Sequence, residues 1–304
     1  MEQNDTLTKD KKGAINVSTF SQKIHSYLKH PFSLLVWIIT ILAALLTAAS
    51  FVYLVLYILI KGVPYLRPEL FSWTYDSNNV SMLPSIINTF LLTALSLVIS
   101  VPLGIFAAIY MVEYAKKGNR IVKFIRVTAE TLSGIPSIVY GLFGMIFFVG
   151  VLKMQLSLLS GSLTVAIMVL PTIMRTTEEA LLSVPQSYRE GSFGLGAGKL
   201  RTVFRIVLPS AVPGILSGVI LATGRIVGET AALIYTAGTM AKVPNNLFAS
   251  ARTLSVHMYL LSNEGLHTNE AFATAVVLLV FVMLINMLAN FVARRLSAKN
   301  AEND

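Results

Sequence analysis

The segment Leu221–Tyr235, LATGRIVGETAALIY, holds the residues of this chain whose types and setting point most directly to chemistry. Arg225 and Glu229 lie four apart inside an apolar stretch, a spacing that puts two side chains on one face of a helix. An ionisable residue at the middle of a lipid-spanning helix costs about 2.5–3.5 kcal/mol on insertion scales, and such residues usually face a bundle interior or a water-filled path. The plain alternative is an internal salt bridge that makes insertion tolerable, although an apolar pair would be cheaper still. Arginine suits oxyanions, because its planar fork donates paired hydrogen bonds and stays charged at any working pH. Glu229 would neutralise that charge when the path is empty, or accept from a proton-bearing oxygen of a solute. Thr230 directly follows Glu229 and joins them as a pathway residue. The same span carries Gly214-x3-Gly218 and Gly224-x3-Gly228. Small residues at this spacing let helices approach closely in lipid. Gly224 and Gly228 flank Arg225, so they also leave room for a solute or a partner subunit.

A second stretch invites a different chemistry. Gly191–Lys199 reads GSFGLGAGK, which looks like a phosphate cradle. A P-loop needs Gly-x4-Gly-Lys-Ser/Thr. Anchored on Gly198-Lys199, it would require glycine at 193 and a hydroxyl at 200, where the chain has Phe193 and Leu200. A dinucleotide fingerprint begun at Gly194 would need glycine where Lys199 stands. A nucleotide-binding domain of about 150 residues has no room in this segment. The glycines instead fit a sharp turn between short helices, Thr177–Val184, Gln186–Leu195 and Lys199–Val207, the last ending at Leu208-Pro209. The apolar face on this helix–turn–helix predicts a docking element.

The elements that must position these residues follow from composition. Of 304 residues, 55% are hydrophobic and only 13% charged, whereas a soluble domain keeps about a quarter charged. A bilayer is the expected solvent. Six apolar stretches, 33–60, 85–112, 131–152, 154–174, 210–236 and 271–293, each reach the roughly 20 residues of a spanning helix. The expected class is therefore all-α, with six transmembrane helices. The organisation reads as an amino-terminal tail 1–32, a first span, an external loop 61–84, a five-helix core 85–293 with a loop at 175–209, and a tail 294–304. The first stretch is too long for a cleavable signal, whose apolar run is about 7–15 residues. It is read as a retained span.

The chain has no cysteine, and its four histidines (His25, His30, His257, His267) are scattered, so no metal site is expected. The net charge of +9 would suggest nucleic acid on a soluble protein. Here it is explained by topology. Eighteen lysines and arginines fall in the two tails and the segments after spans 2 and 4, against five in the other segments. By the positive-inside rule both termini and the 175–209 loop are cytoplasmic. No cofactor and no nucleic-acid partner is expected.

The docking segment then matches a motif. Glu190-Gly191-Ser192, three residues, Gly196, nine residues, Ile206, Val207 and Leu208-Pro209 reproduce the spacing of the EAA loop, by which the chain resembles permease subunits of ABC importers. Gly191 and Ser192 stand where that family prefers alanine; both are small. The resemblance implies a non-catalytic permease of the type I importer fold. In the family this loop forms coupling helices seated on an ATPase, so ATP would be bound and hydrolysed by a partner. Three further stretches, LPSIINTFLLTALSLVISVPLGIFAAIYMVEYA, ETLSGIPSIVYGLFG and GRIVGETAALIYTAG, resemble the permeases of phosphate-specific (Pst-type) importers, the A-type subunit above all. This resemblance covers about residues 80–296. It implies phosphate import with a second permease subunit, two ATPase copies and an external phosphate-binding protein. Pro102, Pro136, Pro171 and Pro213 are plausible bending points of the spans. Two alternatives stand beside it: a permease for another oxyanion such as molybdate or sulfate, and a secondary transporter or channel, which would leave the EAA spacing without a purpose.

Overall fold

The computed structural model describes residues 31–116 and 118–301, with side chains described from 32 to 291 except at 117. The expected tail 1–32, apart from its last two residues, and the expected tail beyond 301 lie outside the described residues, as do Lys117 and the side chains of Arg294, Arg295 and Lys299. Two compact units are distinguished, residues 1–57 and 58–304. In the first, the described part is the body of helix α1, Pro31–Gly62. Its side chains from 32 to 57 are exposed or half-exposed throughout. An all-apolar helix without a buried face needs an apolar solvent.

The second unit is helical, and no strand occurs among the described residues. Helix α2, Leu83–Ile109, begins with a proline in its first turn and runs into a π-turn, Tyr110–Tyr114. Helix α3, Arg120–Ser133, is amphipathic and is capped by the Asn119 side chain, which accepts from the Ile121 amide at 2.8 Å. Helix α4, Ser137–Gly144, continues as a π-turn to Val151. Helix α5, Leu158–Ser183, is capped by Ser157. Two short helices follow, α6 at Gln186–Gly194 and α7 at Lys199–Thr202, the second running through a π-turn, Val203–Val207, into α8, Leu208–Gly228. The remainder are α9, Ala231–Thr236, α10, Leu254–Glu264, and α11, Thr268–Ala301.

Helices α2 and α5 form the most extensive helix pair. One face of α2 is lined with small residues, Ser85, Thr89, Thr93, Ser96, Ser100 and Gly104, and all are buried. Side chains this small let two backbones close on each other in lipid, where hydrophobic burial offers no drive to associate. At Gly104 a Cβ would lie 2.7 Å from Ile173 Cγ2. The core continues through Leu92, Val165, Val169, Ile226 and Leu233.

Among the described residues, five helices are long and apolar enough to cross a membrane, or six if one bent pair counts as a span. The structure changes the expected boundaries of three spans. The stretch 131–152 is not one straight helix: α3 and Ser137–Val151 meet at 105°. Pro136, which has no amide hydrogen to give and sits at the N-cap of α4 with extended ψ, imposes the break together with Gly134. The stretch 154–174 begins later and runs longer, to Ser183, because Lys153 and Gln155 turn the chain with left-handed φ of 55° and 58°. Thr177–Val184 is thus the end of α5 and not a separate helix. The stretch 210–236 is interrupted at Glu229-Thr230. Leu208-Pro209 does not end a helix either. The π-turn at Val203–Val207 adds a residue just before Pro209, and the helix passes through a position where an i→i−4 bond to proline is impossible.

Candidate functional site

Arg225 occupies the last turn of α8, half-buried. It makes no hydrogen bond and no ion pair among the described residues, and its charge is felt by Tyr140 of α4. Tyr140 itself donates its hydroxyl to the Leu132 carbonyl at 2.8 Å, across the bend between α3 and α4.

Glu229 does not share a helix face with Arg225. The helix stops at Gly228, and Glu229 turns into extended backbone at φ −70°, ψ 130°. Its buried carboxylate accepts from the Ala232 amide at 3.0 Å, satisfying one of the orphan amides that open α9. Its carbonyl accepts from Ser255 Oγ at 2.6 Å. The reason is local: a carboxylate three residues before an amide at a helix start is better used as a cap than as a partner across lipid. Thr230 lies in the break, its hydroxyl 3.4 Å from the Gly228 carbonyl.

The two glycine pairs of α8 separate. A Cβ at Gly218 would fall 1.9 Å from Thr176 Oγ1, and one at Gly214 2.6 Å from Ala180 Cβ, so α8 lies against α5 at this end. A Cβ at Gly224 or Gly228 would meet nothing within 4 Å among the described residues. Between α3, α5 and Leu221, one turn before Arg225, lies a cavity of about 570 Å³. Among its charged lining residues, Arg126 of α3 pairs with Glu178 of α5, Arg175 pairs with Glu179 one turn along α5, and Glu130 of α3 lines the space beside them.

In the segment from Gln186 to Pro209, α6 buries only Arg189 and Ser192 and turns Glu190 and Gly191 outward. Gly196 takes φ +81°, the left-handed conformation that favours glycine. The Gly196 amide donates to the Phe193 carbonyl at 2.9 Å and the Ala197 amide to Ser192 at 3.1 Å. This is a Schellman ending, which satisfies the last carbonyls of α6. Leu195, 91% exposed, stands at the tip with Phe193 and Leu200 beside it, all outward. Ile206, Leu208 and Pro209 are half-buried on the return into α8.

Comparison with known proteins decides the family. Residues 100–301 match the family described as "Binding-protein-dependent transport system inner membrane component". This chain belongs to it. It is a permease subunit of an ABC importer and a multi-pass membrane protein. The "Probable ABC transporter permease protein YqgI" of Bacillus subtilis is 34% identical, with 86% of this permease and 95% of that protein covered. The "Phosphate transport system permease protein PstA 1" of Mycobacterium tuberculosis is 35% identical, covering 65% of this chain and 66% of its own. A chain from the crystal structure of a bacterial alginate ABC transporter superposes with a TM-score of 0.65 over 89% of this permease and 98% of that chain. At 16% identity that likeness speaks for the fold alone, the type I importer permease fold.

Two contacts of this permease escaped sequence reasoning. Ser192, where the family prefers alanine, shares a 2.8 Å hydrogen bond with Thr202 and so staples α6 to α7. Arg189 donates from Nε and Nη2 to Glu113 Oε1 at 3.0 and 2.7 Å. The signal for the second was faint: an acidic residue, Glu113, just ahead of a basic segment at the end of a span.

Proposed function

We propose that this permease carries inorganic phosphate inward across the cell membrane by alternating access, with both termini cytoplasmic. Its partners are a second permease subunit, a pair of ATPase subunits that hydrolyse ATP, and an external phosphate-binding protein. The observation that carries this reading is the half-buried guanidinium of Arg225, which has no hydrogen-bond or ion-pair partner among the described residues and glycine space on either side. A charge left unsatisfied in a span is expensive, and a planar fork with free donors suits a tetrahedral oxyanion. The phosphate permease among the relatives agrees with that chemistry. Thr230 and the backbone break at Glu229 line the same stretch. Irregular backbone at membrane depth is tolerated where it borders protein or a water-filled cavity. The Glu190–Pro209 segment docks the ATPase: the outward Leu195, Phe193 and Leu200 supply an apolar grip, and Gly196 fixes the turn that presents them.

The decisive variant is Arg225→Gln in a reconstituted complex. Uptake of radiolabelled phosphate is expected to fall about 100-fold, the scale of losing charge-assisted hydrogen bonds worth about 1.5–3 kcal/mol, while membrane insertion and ATPase association remain unchanged. Normal uptake in this variant would sink the pathway role. Uptake of sulfate or molybdate in preference to phosphate by the unaltered complex would move the assignment to another oxyanion.

A further inference from the structure

Helix α6 is short, and one buried side chain ties it to the spans. The Arg189 guanidinium, about one-tenth exposed, reaches Glu113, whose side chain is equally buried. Glu113 belongs to the π-turn that ends α2, where the Ala115 amide donates to the Tyr110 carbonyl at 2.9 Å in place of an ordinary helical bond. Two further donors of the same fork go to the end of α5: Nη1 to the Val184 carbonyl and Nη2 to the Leu181 carbonyl, both at 2.9 Å. One guanidinium therefore joins α6, the end of α2 and the end of α5. The π-turn makes a second contact on the other side of the glycine turn, with Lys199 Nζ lying 5.1 Å from the centre of the Tyr114 ring. Ser192 and Thr202 hold the two sides of the turn together. The end of α2 thus grips both ends of a pre-formed, internally stapled unit.

Such a joint has the properties needed to transmit displacement. A solvent-exposed pair such as Arg175–Glu179, two-thirds exposed on both sides, yields to water and salt. A buried pair held by four hydrogen bonds cannot be pulled apart without stranding a charge. Moving α6 must therefore move α2 and α5 with it.

We propose that the Glu113–Arg189 ion pair is the mechanical joint that passes movement of α6 to the second span, both residues acting as positioning residues. This rests on the reading of the Glu190–Pro209 segment as the ATPase-docking element. The test is Glu113→Gln in the complete reconstituted complex, read as phosphate taken up per ATP hydrolysed. Glutamine keeps the shape and an acceptor oxygen but removes the charge. ATP hydrolysis is expected to persist while uptake per ATP falls about tenfold, within the range of ordinary coupling energies. A merely structural pair would lower the yield of complex and leave that ratio unchanged in the molecules that assemble; this outcome overturns the joint. Should Glu113→Gln fail to assemble, Glu113→Cys with Arg189→Cys serves instead, because this chain has no other cysteine. Bridging the two thiols with a short bifunctional reagent is expected to restore the ratio, and no restoration overturns the proposal. An unaltered chain that neither holds an ATPase nor changes its hydrolysis would remove the docking reading itself, and the joint with it.

Discussion

Arg189 and Arg225 are the same side chain put to opposite uses. The first donates four hydrogen bonds, two to one buried carboxylate oxygen and two to helix-end carbonyls. The second donates none among the described residues. A fork committed to four internal bonds is a fastening within the molecule. A fork with no internal partner among the described residues keeps its donors free for the pathway role proposed above. Arg189 is buried and Arg225 half-buried, a difference too small to assign their roles. The arginines are told apart by the inventory of their donors.

That contrast can be broken by stability measurements on the purified permease. Arg189→Ala leaves Glu113 charged and buried, and is expected to cost about 3–5 kcal/mol, read as a large fall in the thermal unfolding midpoint. Arg225→Ala removes no internal partner and relieves an unpaired charge in a span, so the unfolding midpoint should hold or rise rather than fall. Equal losses would erase the distinction. The glycines of α8 divide on the same principle. Gly218→Ala drives a methyl into Thr176 and should cost about 1–3 kcal/mol, whereas Gly224→Ala meets open space and should stabilise the helix by about 0.5–1 kcal/mol.

A third arginine is intermediate. Arg252 donates to the Thr239 carbonyl at 2.8 Å, lies over the Tyr75 ring, and has Nη1 3.2 Å from Nδ1 of His257. His257 is on α10, outside the spanning helices, and is fully buried. Burial, with the nearby Arg252 charge second, lowers its pKa from 6.5 to about 3. The folded protein therefore keeps His257 neutral while the unfolded chain protonates it below pH 6.5. The stability this contributes is complete above that pH and declines as pH falls toward 3, by at most about 1.4 kcal/mol per pH unit. His257→Phe should flatten that part of the pH–stability curve; an unchanged slope would show that His257 is not its source.

The spacing from Glu190 to Pro209 was readable because it is a local rule, and the left-handed Gly196 sits where the motif demands glycine. The apolar stretches were readable for the same reason, since lipid imposes one length on every span. What escaped was of two kinds. Backbone breaks inside apolar runs, at Glu229-Thr230 and at Gly134–Pro136, leave hydropathy nearly unchanged, so a run of apolar residues looks continuous through them. The i, i+4 pairing of Arg225 with Glu229 failed for this reason: helical spacing holds only while the helix does. Contacts distant in sequence were the other kind. Nothing in the residues around Glu113 announces that its partner is Arg189.

On the docking role proposed above, the Schellman turn at Gly196 bears on how quickly the ATPase engages and leaves. Because α6 closes its own carbonyls and is stapled by Ser192 to Thr202, its turn is completed by bonds within this chain. Association then pays little of the entropy of ordering a loop, which is the usual tax on docking a flexible segment. A surface prepared in advance can be gripped, released and gripped again within one working cycle. The same stiffness means that a stroke applied at the tip is not wasted in straightening a slack chain.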